Sequence, residues 1–206
     1  MNPIKFNAGA LRRLCLSASG DLLHRPHLCA LRFRPSDVVA TDGAMLVRVP
    51  LPHDAERDFV LPAFPVQRLI GKHRHRTVKV TRCERETRIE IEGEGTFIVP
   101  DNPEITVDRY PPVDRVIDKT QGDEPGVVAD LCLSAQMWAL IGKLARDLYP
   151  SGPLDEDSEE DFGCRLATDA PVTVVKAGSL PKAHPAQILA RSHHGNALIV
   201  VMPVKQ

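Results

Sequence analysis

Eight histidines and five cysteines are the residues from which this 206-residue chain could build a metal centre or a nucleophile. His24, His27 and Cys29 fall close together, and His193-His194 form a second group. Neither group has the i, i+4 spacing that puts two ligands on one helix face, and neither has a fourth ligand nearby, so both are predicted to be surface or loop residues. The cysteines (Cys15, Cys29, Cys83, Cys132, Cys164) are odd in number, far apart and never in a Cys-x-x-Cys pair, which predicts reduced, mostly buried thiols. There is no Gly-x-Ser-x-Gly elbow, no Walker lysine loop and no His-Glu-x-x-His. Asp42 and Asp169 fall in turn sequences, where a carboxylate serves its own backbone. The sequence therefore predicts no catalytic residue, no metal site and no cofactor.

With 26 basic and 27 acidic residues, the formal charge of -1 gives no overall attraction to nucleic acid. Contact with phosphate must come from segregated charge. The densest basic run is Lys72-His73-Arg74-His75-Arg76, and the acidic counterpart is Asp155-Glu156-Asp157-Ser158-Glu159-Glu160-Asp161, a block of like charge expected to be a solvated loop. No run of eighteen apolar residues exists, and Lys5, Arg12 and Arg13 interrupt the first twenty residues. Neither a membrane span nor a signal peptide is predicted, and the expected location is cytoplasmic.

The elements that position these residues repeat. Ile4-Lys5-Phe6-Asn7-Ala8, Phe59-Val60-Leu61-Pro62-Ala63 and Leu131-Cys132-Leu133-Ser134-Ala135 each read as a strand running into a helix, with Asn, Pro or Ser at the junction. The helices that follow carry apolar residues at turn spacing: Leu11, Leu14 and Cys15; then Val66, Leu69 and Ile70; then Trp138, Ile141 and Ala145. Their other faces present Arg12 and Arg13, then Gln67, Arg68 and Lys72, then Lys143 and Arg146. Short strands follow each helix: 28–34, 38–41 and 45–49; 77–81, 87–92 and 96–99; 164–168, 172–176 and 197–202. Asp42-Gly43 is read as the two-residue turn of a hairpin. The expected fold class is α+β: three βαβββ units with helices on one face of antiparallel sheets. A proline-rich connector, 101–126, leads to an expected boundary near residue 120, dividing two units (1–120) from one (121–206).

Three motifs lie on this frame. Ala40-Thr41-Asp42-Gly43-x-x-Leu46 resembles the Ala-Thr-Asp-Gly-x-x-Leu hairpin of the bacterial DNA polymerase III beta subunit, the sliding clamp. Tyr110-Pro111-x-x-x-Arg115-Val116 is similar to that family's Phe-Pro-x-x-x-Arg-Val linker, and Val200-Val201-Met202-Pro203-Val204-Lys205 to its terminal Val-Val-Met-Pro-Met-Arg. The resemblance covers most of the chain and implies the DNA clamp (processivity) fold, with the family's middle domain followed directly by its last half-domain. Ala44 and Met45 stand where the family usually has His and Arg, and Val113 and Asp114 where its linker has an aromatic and a basic residue.

The resemblance implies a cleft that receives short linear peptides of polymerases, clamp loaders and repair proteins. Its expected lining is Leu28, Thr41, Gly43, Leu46, Pro111, Arg115, Val116, Val200 and Met202, an apolar cleft with a flexible Met and a few orienting polar groups. It also implies that the helices face duplex DNA and touch phosphates without reading bases, through Arg12, Arg13, Arg68, Lys72, Lys143 and Arg146, while Arg74 and Arg76 in the run after the second helix are candidates for contact with phosphate or with an acidic partner. A clamp ring contains twelve such units, so four copies of three units give the same number, and a homotetramer is expected to encircle DNA. The alternative is a clamp-like adaptor or competitor that binds the same peptides without enclosing DNA.

Overall fold

The computed structural model describes residues 3–51, 58–73, 75–114, 139, 141–143, 172–176, 186–192 and 195–201. The first unit runs β1 (Ile4–Asn7), α1 (Ala8–Leu16), β2 (Ala30–Phe33), β3 (Asp37–Thr41) and β4 (Met45–Pro50). The second runs β5 (Phe59–Pro62), α2 (Ala63–Ile70), β6 (Thr77–Arg82), β7 (Glu86–Ile91) and β8 (Gly95–Pro100). Both are βαβββ, as the repeat predicts.

The units are not separate bodies, because they exchange their first strands. β1 pairs with β6 and β5 pairs with β2, both antiparallel, giving sheet orders β1-β6-β7-β8 and β5-β2-β3-β4. One core lies between the helices and both sheets. Leu11 and Leu14 of α1 and Val66 and Ile70 of α2 meet Leu31, Phe33, Val47 and Leu61 of one sheet and Val78, Val80, Ile89 and Ile91 of the other. Phe33 stacks on Phe59 with ring centroids 4.6 Å apart and meets Phe6 of the neighbouring sheet edge-on at 5.9 Å, so the aromatic cluster sits at the seam.

Local chemistry starts each helix as expected. The Asn7 side chain caps α1, its Oδ1 accepting from Gly9 N at 2.8 Å, while Pro62 precedes α2 without a side-chain cap. Two expectations need correction. Leu28 is not the start of a strand: Pro26 opens a 3-10 turn, Pro26–Leu28, closed by Cys29 N donating to Pro26 O at 3.0 Å. The hairpin's central pair is Gly43-Ala44 rather than Asp42-Gly43, because Thr41 pairs with Leu46 and Asp42 N donates to Met45 O at 3.3 Å. Gly43 supplies the positive φ (91°), and the Asp42 carboxylate accepts from the Ala44 and Met45 amides at 2.8 and 2.7 Å.

The last region contributes helical backbone at Ala139 and 141–143 and three strands, β9 (Val172–Lys176), β10 (Ala186–Ser192) and β11 (Gly195–Val201). Here β10 is a strand that the sequence reading did not anticipate. It pairs with both β9 and β11, and β11 pairs antiparallel with β4, so the second sheet grows to β5-β2-β3-β4-β11-β10-β9. The residues expected as the third unit's first strand, the 164–168 strand and the acidic block lie outside the described residues.

Candidate functional site

Strand alternation gives the seven-stranded sheet a second face, opposite the helices. Val60 of β5, Arg32 of β2, Asp37, Val39 and Thr41 of β3, and Leu46 and Arg48 of β4 share it by register. On this face Thr41 stands opposite Leu46, and Leu46 opposite Val200 of β11. Three of the expected pocket residues thus form a single cross-strand rung, and all three are buried, Val200 completely (0% exposed).

The connector closes over this rung. Tyr110 and Val113 pack on Val39, Leu46 and Val200 as a small core of their own. The Tyr110 hydroxyl donates to Val39 O at 3.2 Å, and burial pushes its pKa above the ordinary phenol range, so it stays a neutral donor. Between them, half-buried Pro111 accepts from Val113 N at 2.8 Å. At the other end of the rung, Thr41 Oγ1 donates to Met45 O at 2.7 Å and accepts from Gly43 N at 3.1 Å, which holds the hairpin tip. A Cβ on Gly43 would lie 3.6 Å from Leu28 Cδ1 and 3.3 Å from Arg25 Nη1, so Leu28 backs directly on the glycine. Leu28, Thr41, Gly43, Leu46, Pro111 and Val200 are therefore gathered along one line from hairpin tip to connector. Arg115, Val116 and Met202 lie outside the described residues.

Beside the rung lies an ion-pair network that the sequence reading missed. The Asp37 carboxylate is buried and accepts from Arg34 through two nitrogens, at 2.5 and 2.8 Å, and from Arg48 Nε at 2.6 Å. Arg34 also binds Asp114, tying the connector to the sheet. Burial disfavours the Arg34 cation, but the hydrogen bonds and charges of Asp37 and Asp114 outweigh it and hold its pKa above the ordinary value. Arg32 pairs with Asp58 at 2.6 Å and places its guanidinium 5.9 Å from the Tyr110 ring centroid. The available signal was Asp-Val-Val-Ala-Thr in β3, every residue of which is buried: a strand without polar alternation is covered on both faces.

The expected phosphate contacts are dispersed. Neither α1 nor α2 contains an acidic residue, and the two helices pack together. Arg12 and Arg13 are half-buried, whereas Arg68, Lys72 and Lys143 are exposed. Arg68 stacks over the exposed Phe64 ring at 5.7 Å. Arg76 lies beyond the end of α2 and reaches the β7–β8 turn, donating to Glu92 O at 2.7 Å and pairing with the acidic Glu94 at 2.9 Å. Arg74 and Arg146 lie outside the described residues. His24 is exposed, with Nδ1 3.6 Å from Asp21, and Cys29 Sγ donates to Arg25 O at 3.4 Å. Among the described residues no group of three or more His, Cys, Asp or Glu could hold a metal ion, and no helix is long and apolar enough to cross a membrane.

Two βαβββ units that exchange first strands, share one core under paired helices and pass a sheet edge to a further unit define the DNA-clamp fold. Solved structures agree. The chain is similar to a structure assigned as a DNA polymerase III beta subunit of Eubacterium rectale (TM-score 0.54, 11% identity, covering 100% of this chain and 66% of that one). It is also similar to the DNA polymerase III beta subunit of Thermotoga maritima (TM-score 0.53, 14% identity, 99% and 65%) and to that of Borrelia burgdorferi (TM-score 0.50, 9% identity, 100% and 64%). The chain thus spans slightly under two thirds of these relatives' length, and the likeness establishes the fold. Neither a family model nor a curated protein matches the sequence.

Proposed function

We propose that this chain is a non-enzymatic, clamp-like tethering protein that takes short peptides from polymerases or other DNA-bound proteins in a cleft beside the Thr41–Leu46–Val200 rung. The observation that carries the reading is the β4–β11 pairing, which sets the hairpin of the first unit against a strand of the last region. The rung itself is buried under Tyr110 and Val113, so the proposed peptide contacts are its accessible margins, exposed Gly43 and Ala44 at the hairpin tip and half-buried Pro111 of the connector. By the motif resemblance, Arg115, Val116 and Met202 are proposed as further peptide contacts. Titration of a fluorescently labelled clamp-binding peptide tests this: Met202→Asp weakens binding about tenfold or more, the ~1.4 kcal/mol expected from loss of an apolar anchor. Equal affinity of variant and wild type overturns the assignment.

The acid-free helix surface is proposed to contact duplex phosphates through Arg12, Arg13, Arg68, Lys72 and Lys143, with the chain assembled as a ring of four copies. Binding is then weak, independent of base sequence and steeply salt-dependent, and Lys72→Ala lowers the slope of log K against log salt by about one. A slope of zero refutes the phosphate contacts. Light scattering decides between ring and adaptor: a mass of four chains supports encirclement, and a monomer that still binds peptide supports the adaptor.

A further inference from the structure

The cleft margin proposed above depends on where the connector holds Pro111, and one charged side chain is fixed in advance to hold it there. The turn from β2 to β3 closes with Arg34 N donating to Asp37 O at 2.8 Å. The Arg34 guanidinium then grips the buried Asp37 carboxylate with Nε and Nη2, at 2.5 and 2.8 Å, and Arg48 Nε holds the same carboxylate from β4 at 2.6 Å. A planar fork bound through two of its nitrogens has one orientation. Its remaining nitrogen, Nη1, is aimed at the connector, where it donates to Asp114 Oδ1.

Charge balance points the same way. Arg34 and Arg48 are two cations against the single carboxylate of Asp37, so this network is neutral only with Asp114 in place. The Arg34 side chain is 13% exposed, and a cation so shielded needs a second partner more than a solvated one does. Asp114 is 62% exposed, so its carboxylate serves the position of the connector and not the packing of the core. At the other end of the same segment, Tyr110 is fixed by its hydroxyl bond to Val39 O and by its packing on Val39, Leu46 and Val200. Between the two anchors run Pro111 and Pro112, whose rings lock φ, so the segment moves as a stiff piece. Val113 packs beneath it, but apolar contact is non-directional and tolerates tilt.

We propose, on the cleft reading above, that Arg34 acting through Asp114 is a positioning residue of the peptide cleft: it sets the tilt of the connector and so the place of Pro111 at the cleft margin. Arg34 does this without touching the peptide. Because Asp37 and Arg48 orient the guanidinium before the connector arrives, the margin is built in advance of binding and little ordering is left for the peptide to impose.

The test uses the full chain and an uncharged clamp-binding peptide, so that salt acts only through the protein. Asp114→Ala is expected to weaken binding about fivefold, mainly by faster dissociation, with the urea midpoint of unfolding unchanged, and Asp114→Glu to recover most of the loss. Raising the salt concentration should weaken binding by wild type and leave binding by Asp114→Ala level. A second readout needs no peptide: in hydrogen exchange the Tyr110 and Val113 amides should exchange several-fold faster in Asp114→Ala, while the amides of β1 to β8 keep their wild-type rates. Wild type and Asp114→Ala binding the peptide equally well overturns the positioning role and leaves the cleft reading standing. No binding by wild type overturns the cleft reading and the positioning role with it. Unchanged exchange at Tyr110 and Val113, or faster exchange spread through the whole sheet, also overturns the positioning role.

Discussion

The outer faces of the two sheets start from the same motif and end differently. On the β1-β6-β7-β8 sheet the outward positions are Lys5, Lys79, Glu90, Thr81 and Arg88, and the face is solvated: β7 reads buried and exposed in strict alternation. On the other sheet Val39, Leu46 and Val200 lie in the same outward layer, and the connector with Tyr110 and Val113 covers them. One sheet has a single core face and the other has two. The covered face is the one on which Val200, from the last region, meets the connector.

Substitutions on the two faces should therefore differ by an order of magnitude. Tyr110→Ala removes a buried ring and its hydrogen bond and is expected to cost about 3–4 kcal/mol in urea unfolding, with Tyr110→Phe costing only about 1. If both changes were near neutral, the connector would not be part of the folded core. Asp37→Ala leaves Arg34 and Arg48 facing each other without their shared carboxylate, and about 2–3 kcal/mol should be lost, since Arg48 is partly solvated. On the open face, Glu90→Gln removes the cross-strand partner of Lys79, 3.0 Å away and half exposed on both sides, for about 0.2–0.5 kcal/mol that fades in high salt. Ile98→Ala, measured at dilutions where chains do not associate, should change stability by less than about 0.5 kcal/mol. A large loss there would show that Ile98 already packs within its own chain.

Much of this contrast was legible in the sequence, and the exceptions have physical reasons. The repeated strand-to-helix junctions predicted ten elements of the first two units because alternation and capping are local. The exchange of first strands was invisible, because no local signal tells which sheet β1 or β5 will join. β10 was missed because its apolar residues, Ile188-Leu189-Ala190, run together without period, and the neighbouring His193-His194 drew attention as possible metal ligands. The rung of Thr41, Leu46 and Val200 could be named only through motif resemblance, because nothing local relates residue 41 to residue 200. The Asp37 network had no motif at all, and its one trace was a strand with no polar position left outside.

The lending of β1 and β5 between units bears on how such a chain could have arisen. A lone βαβββ segment folded on its own would expose the place its first strand vacates and would have nowhere to put that strand. Two identical segments remedy each other's defect by reciprocal donation, in the manner of a domain-swapped pair. A peptide covering the first unit alone is thus half of a handshake. It should gain structure only on meeting the second, and a tandem gene copy would have made that meeting permanent.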